Sequence, residues 1–172
     1  MSTRHLVVVG LMGAGKTEVG RACAARLGRD WIDTDDLAVV LASQPFEAIW
    51  AEGEATFRAW ERQAVADAAA SPSPLVISCG GGVVLDAENR AALRATGVVV
   101  WLRAAVETLA ARVGDGSGRP LLAGDPVAAL RRLAAAREPA YSAAADAVVD
   151  TDDLSVEDVV DAVLTAARIE GC

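Results

Sequence analysis

The chain has almost no lysine: Lys16 is the only one among 172 residues, and every other basic residue is an arginine. Aromatic residues are also scarce, at 4%, so a core has to be assembled from Ala, Val and Leu. There is one histidine, His5, and three cysteines, Cys23, Cys79 and Cys172, at unrelated spacings. Neither a disulfide framework nor a Cys/His metal centre can be built on that pattern. Positive charge is in deficit, 16 basic against 24 acidic residues for a net of -8. That excludes a broad basic face for nucleic acid, while a local group of arginines still suits one small anion. No apolar run approaches the ~20 residues that cross a bilayer, and no membrane contact is expected. The run Leu6-Val7-Val8-Val9 ends after four residues at a glycine loop, with no small-residue cleavage site, and reads as a buried strand of a cytoplasmic protein rather than a signal segment.

What is present is a large apolar share, 53%, enough to bury a core without staples. Short β-branched runs alternate with Ala/Leu-rich helical periods, the pattern of βαβ units around a parallel sheet. Strands are expected at His5–Val9, Asp30–Asp33, Leu75–Ser78, Val98–Leu102 and Ala147–Val149. Helices are expected at Lys16–Leu27, Asp36–Ala42, Glu54–Ala70, Ala87–Ala95, Val106–Val113, Pro126–Arg137 and Val156–Ala167. Gly28 stands where a left-handed stop to the first helix belongs, and Ser155 with Asp158 has capping-box spacing before the last. With no repeat and no dividing linker, residues 1–172 read as a single α/β domain. Two segments interrupt the alternation: a helical insertion at about 34–70, and a loop at about 114–124 whose four glycines suit a mobile lid.

The sharpest motif is Gly10-Leu11-Met12-Gly13-Ala14-Gly15-Lys16-Thr17, which satisfies G-x-x-x-x-G-K-[ST] between a predicted strand and a predicted helix. Glycines let backbone N–H groups turn inward around phosphate oxygens, and the helix N-terminus adds partial positive charge. Lys16 can reach the β- and γ-phosphates of a nucleotide, and the Thr17 hydroxyl can ligate Mg²⁺. Asp33-Thr34-Asp35-Asp36 follows the second strand. In an extended segment Asp33 and Asp35 point the same way, so one carboxylate suits Mg²⁺ and the other an attacking hydroxyl. The same cluster also suits a helix N-cap, with Asp35 or Asp36 as the cap. Cys79-Gly80-Gly81-Gly82 after the third strand offers close backbone approach and N–H donors; Cys79 itself reads as a small buried residue. Arg58, Arg119 and Arg137, taken one at a time, are indistinguishable from solvated arginines.

Together these segments resemble shikimate kinase: a phosphate loop near the N-terminus, D-T-D after the second strand, F-R on the inserted helix, G-G-G after the third strand, then R-P-L-L and R-x-P-x-Y. Here they are Gly10–Thr17, Asp33-Thr34-Asp35, Phe57-Arg58, Gly80-Gly81-Gly82, Arg119-Pro120-Leu121-Leu122 and Arg137-Glu138-Pro139-Ala140-Tyr141. The resemblance implies the nucleoside monophosphate kinase fold, a P-loop kinase with a five-stranded parallel sheet in order 2-3-1-4-5. It also implies ATP-dependent phosphorylation of the 3-hydroxyl of shikimate on the route to chorismate and the aromatic amino acids, by a monomer. By position, Gly13, Ala14, Gly15, Lys16, Thr17 and Glu18 would hold the ATP phosphates. Arg112 would pack on adenine, Arg119 would close over the transferred phosphoryl group, and Thr17 and Asp33 would serve Mg²⁺. Asp35, Arg58, Gly80, Gly81, Gly82 and Arg137 would hold shikimate, with Lys16, Asp35 and Arg119 as the catalytic groups and Ser78 orienting a metal-bound water. Trp50 stands where many relatives carry Phe, and either lines the shikimate pocket or packs the insertion. Trp31, Trp60 and Trp101 read as core. A carboxylate with three hydroxyls does call for arginine forks, a carboxylate acceptor and backbone donors. Kinases of a related polyol or an amino-shikimate, and a catalytically silent nucleotide-binding partner, are the rival readings.

Overall fold

The structure, a computed structural model, describes residues 3–114, 116 and 119–169. Cys172 and positions 115, 117 and 118 of the glycine-rich loop lie outside the described residues. Five strands form one parallel sheet: β1 His5–Val9, β2 Trp31–Asp33, β3 Val76–Ser78, β4 Gly97–Arg103 and β5 Ala147–Asp150. Their spatial order is β2-β3-β1-β4-β5, the order the family resemblance implies. Val7 of β1 pairs with Ile77 of β3 on one side and Val99 of β4 on the other. All five residues of β1 are buried, and a strand covered on both faces requires that continuous apolar run.

Helices α1 Lys16–Leu27, α2 Thr34–Ala42, α3 Phe46–Ala51, α4 Glu54–Ala69, α5 Ala87–Thr96, α6 Val106–Val113, α7 Pro126–Ala144 and α8 Val156–Ala167 flank the sheet. Single 3₁₀ turns lie at Val83–Leu85 and Pro120–Leu122. None of the described helices is long and apolar enough to cross a membrane. Gly28 closes α1 at φ 61°, and Ser155 and Asp158 form the expected reciprocal cap of α8. His5 is buried and ties three segments together. Its Nδ1 accepts from the Leu75 N–H at 2.9 Å, which leaves Nε2 to donate to the Ala69 carbonyl at 3.3 Å.

Beyond shifts of one or two residues at element ends, among them the start of α2 at Thr34, two helices depart from the expectation. Helix α7 continues past Arg137 and through Pro139 to Ala144. An interior proline costs about 3 kcal/mol of helix stability, yet Arg137, Tyr141 and Ala144 on one face are all buried, and that burial outweighs the lost bond. Helix α3 was not expected at all. It is too short for a periodic signal, and it is held by a ring cluster in which Phe46, Trp50 and Phe57 lie 5.1–5.6 Å apart. With Ala38, Ile49 and Ala64 these rings form a small core of the insertion, separate from the core around the sheet.

Parallel strands place all their carboxyl ends at one edge. The chain leaves β1 toward β2 but leaves β3 toward β4, so the two connections run in opposite directions across the β1/β3 boundary. Crevices at such switch points are where open α/β sheets bind ligands.

Candidate active site

A cavity of about 830 Å³ opens at that boundary. One end is the phosphate loop. Gly15, at φ 90° and ψ 16°, is the N-cap of α1 and carries no side chain to satisfy the first turn. The first intrahelical bond runs from the Val19 N–H to the Gly15 carbonyl, so the N–H groups of Lys16, Thr17 and Glu18 have no partner within the helix. Three donors and the positive end of the helix therefore face one point, which is an anion seat. Lys16 Nζ is folded back to donate to the Leu11 carbonyl at 3.0 Å. Burial pulls its pKa down, opposed by the charges of Asp35 and Asp33.

Met12, Gly13, Ala14, Thr17 and Glu18 line the same end, as do Arg112 and Arg119. Arg112 donates to the hydroxyl and carbonyl of Thr151 at 3.0 and 2.9 Å, binding α6 to the end of β5. Its neighbours on the cavity wall, Leu154, Val156 and Val159, provide an apolar slot. Arg119 is exposed at the cavity mouth, immediately before the Pro120–Leu122 turn. That turn is pinned by Leu122, which is fully buried; of the proposed 114–124 lid, this portion is docked on the core.

The acids are arranged differently from the expectation of two aligned side chains on an extended segment. Asp33 ends β2 and is itself the N-cap of α2, its Oδ1 accepting from the Asp35 N–H at 2.9 Å. Its Oδ2 accepts from the Thr17 hydroxyl at 3.3 Å. Asp35 lies inside the first turn of α2. Neither Asp35 nor Asp36 is the cap, and Asp36 is exposed away from the cavity. Asp35 reaches the cavity because α2 is docked sideways: Thr34, fully buried, accepts the Gly80 N–H at 2.9 Å. The Asp35 carboxylate then lies against the Gly80 Cα, where a Cβ would overlap it. Its Oδ1 is buried without a hydrogen-bond partner. Burial, then the charge of Asp33, raises its pKa to about 6.

The other end of the cavity gathers Arg58, Arg137 and the triple glycine. Arg58 donates to Glu61 at 2.8 Å and to Glu54 at 3.0 Å, and its guanidinium occupies the space a side chain at Gly82 would need. Among the described residues no acceptor takes the N–H of Gly81 or Gly82. Glu61 was missed by the sequence reading. It is 1% exposed and feels the positive charge of both Arg58 and Arg137; burial nevertheless raises its pKa to about 7. The signal available was its position one turn after Arg58 on the same helix face.

Trp50 does both of the things considered for it, lining the cavity while packing between Phe46 and Phe57. Ser78 does not face the cavity. Its hydroxyl, fully buried, donates to the Lys16 carbonyl at 2.8 Å and accepts from Trp31 Nε1 at 3.0 Å, fastening α1 to β3. The Cys79 thiol is buried and pushed up in pKa by that burial, which keeps it protonated and unreactive.

The sequence model of the family described as "Shikimate kinase" matches residues 12–168. A shikimate kinase of Symbiobacterium thermophilum is 50% identical over 171 residues, covering 97% of this chain and 98% of that protein. One from Bordetella pertussis is 43% identical over 161 residues, covering 92% and 76% respectively. Among solved structures, shikimate kinase from Acinetobacter baumannii in complex with shikimate superposes with a TM-score of 0.90 at 33% identity, covering 95% of this chain and 92% of that one. A gluconokinase from Sinorhizobium meliloti, at 19% identity and a TM-score of 0.62, shares the fold alone. With the family matched across both ends of the cavity, the chain belongs to the shikimate kinase family.

Proposed function

We propose that this protein transfers the γ-phosphoryl group of ATP to the 3-hydroxyl of shikimate, giving shikimate 3-phosphate for chorismate and aromatic amino acid synthesis. One observation carries the reading: a largely buried carboxylate, Asp35, lies between an anion seat at one end of the cavity and two arginines with free backbone donors at the other. Arg58 and Arg137 suit a carboxylate on the acceptor, and the Gly81 and Gly82 N–H groups suit its polar oxygens. The three backbone donors of α1, with Lys16, suit the ATP phosphates, and the apolar slot beside Arg112 suits the base. A neutral polyol is poorly served by an acceptor end built for an anion, a silent nucleotide-binding partner has no need of an intact phosphate end, and the family match favours shikimate over an amino-shikimate.

The Asp33–Thr17 oxygen pair at the anion seat fits Mg²⁺, a hard cation held by one or two protein oxygens with phosphates and water completing the shell. Among the described residues no three His, Cys, Asp or Glu side chains form a metal cage, and such a site needs none. Bound there, Mg²⁺ would neutralise charge on the phosphate oxygens. Asp35 accepts or aligns the proton of the 3-hydroxyl as its oxygen attacks the γ-phosphorus. A pKa of about 6 leaves it ionised at neutral pH while keeping it basic. Lys16 exchanges its contact with the Leu11 carbonyl for a phosphate oxygen, and Arg119 meets charge on the transferred group when the 114–124 loop closes as a lid. The insertion at about 34–70 serves as the shikimate-binding part of a single, monomeric, cytoplasmic kinase domain. An ADP-release assay with shikimate, gluconate and nucleoside monophosphates as acceptors tests the assignment: shikimate should be turned over, the others poorly. Equal turnover of gluconate overturns it.

A further inference from the structure

The R-x-P-x-Y segment supplies Arg137 to the acceptor end, but the chemistry above gives Tyr141 no task. Tyr141 follows Arg137 by one turn on α7. It is 1% exposed, and its ring stacks on Trp101 at 5.4 Å with the planes 16° apart. Trp101 pairs in register with Val9, the last residue of β1 before the phosphate loop, so the stack stands on an inner strand of the sheet. From that footing the Tyr141 hydroxyl donates to the Gly81 carbonyl at 2.6 Å. The Arg137 guanidinium and the phenol oxygen both lie beside the Gly81 Cα, and the Arg137 charge acts on the phenol.

A trans peptide is planar, with its C=O and the following N–H pointing in opposite directions. Holding the Gly81 carbonyl toward α7 therefore turns the Gly82 N–H away from α7, one of the two backbone donors left unpaired at the acceptor end. A triple glycine has no side chain of its own to fix that plane, and glycine is the residue with the most backbone freedom to lose. An external anchor is what such a loop lacks. Tyr141 provides one, at the point where the Arg137 guanidinium also meets the loop.

We propose that Tyr141 is a positioning residue for acceptor binding: its hydroxyl fixes the Gly81–Gly82 peptide plane beside the Arg137 guanidinium, so that backbone donor and arginine fork are presented together. This rests on the reading of the Gly80–Gly82 end as the acceptor site. It assigns the tyrosine to acceptor affinity and not to ATP binding, since every contact of its hydroxyl is on the acceptor side.

Tyr141→Phe keeps the ring and its stack on Trp101 and removes only the oxygen. Steady-state kinetics with each substrate varied in turn should show the KM for shikimate rising about ten-fold, the scale of one buried hydrogen bond. The KM for ATP should stay as in the wild type, and kcat should fall by less than the KM rises. In the substrate-free protein, amide exchange at Val83 and Leu85, whose N–H groups close on the Gly80 and Gly82 carbonyls, should become faster. An unchanged shikimate KM, or both KM values rising together, overturns the proposal. Should the wild type fail to phosphorylate shikimate, the functional reading falls, and the exchange comparison alone then decides: unchanged exchange at Val83 and Leu85 removes Tyr141 as the anchor of this loop.

Discussion

Replacing Asp35 by Asn should make this protein more stable and nearly inactive at the same time. The carboxyl is largely buried, one of its oxygens has no partner, and Asp33 lies beside it; burial first, and that charge second, raise its pKa to about 6. In the unfolded chain the group titrates near its usual value of about 3.9. Between those two values the folded protein holds a proton that the unfolded chain has released. Stability therefore falls as pH rises through the window and stays low above it. Two pKa units amount to at most about 2.7 kcal/mol at neutral pH, less whatever solvent reaches the partly shielded carboxyl. The amide removes that charge at every pH but leaves an N–H without an acceptor, at a cost of about 1 kcal/mol. The net expectation is a gain of about 1 kcal/mol at neutral pH, or roughly 2–4 °C in Tm for a chain of this size. Below the ordinary carboxylate range the gain should vanish or reverse, because the wild-type carboxyl is then neutral in both states. Turnover should drop about 100-fold or more, the scale of general-base contributions, with the KM for ATP little changed. The wild-type limb of kcat/KM that rises through about pH 6 should disappear in the variant. Thermal melts across the acid range and an ADP-release assay measure both sides. A variant that is less stable than wild type at neutral pH, or that keeps wild-type turnover, refutes the reasoning. Near-normal turnover in Asp35→Asn together with a dead Asp33→Asn would mean the two acids have been assigned the wrong way round.

Arg119→Ala should cut kcat far more than it raises the KM for shikimate, and Arg119→Lys should restore only part, since a point charge does not replace a planar fork; a normal kcat in the alanine variant removes Arg119 from the chemistry. Glu61→Gln removes the negative charge from the bond to Arg58 but keeps an acceptor oxygen, so it loses only part of the about 1.5–3 kcal/mol of a charged bond and should raise the shikimate KM by roughly three- to ten-fold while leaving the ATP KM alone; an unchanged shikimate KM in steady-state assays would show that Arg58 holds its position without that charge. His5→Ala strands the Leu75 N–H and the Ala69 carbonyl inside the fold and should cost about 2–4 kcal/mol in chemical denaturation, with both KM values intact; a loss below half that would mean water replaces the ring.

The phosphate loop was legible in the sequence because its determinants are local. A strand, a glycine loop and a helix start are consecutive, and the orphan N–H groups of α1 follow from that order whatever the rest of the chain does. The caps at Gly28 and Ser155 are local in the same sense. Alternation of strand and helix was enough for a parallel sheet, but not for its order, which came from family resemblance. Arg58, Arg119 and Arg137 also needed the resemblance, since nothing in the neighbourhood of a single arginine distinguishes a ligand from a solvated side chain. Tertiary structure alone decided the rest. Helix α3 exists because Phe46 and Trp50 meet Phe57 from another helix, and α7 survives Pro139 because its far half is buried against the body of the protein. Asp33 and Asp35 share a cavity through the docking of Thr34 on Gly80, not through strand alternation. Glu61 became visible only when folding took its carboxylate out of water and set it against Arg58, within the field of Arg137. In each case the deciding energy is burial or a contact between segments far apart in the chain, and no local pattern of residues carries that information.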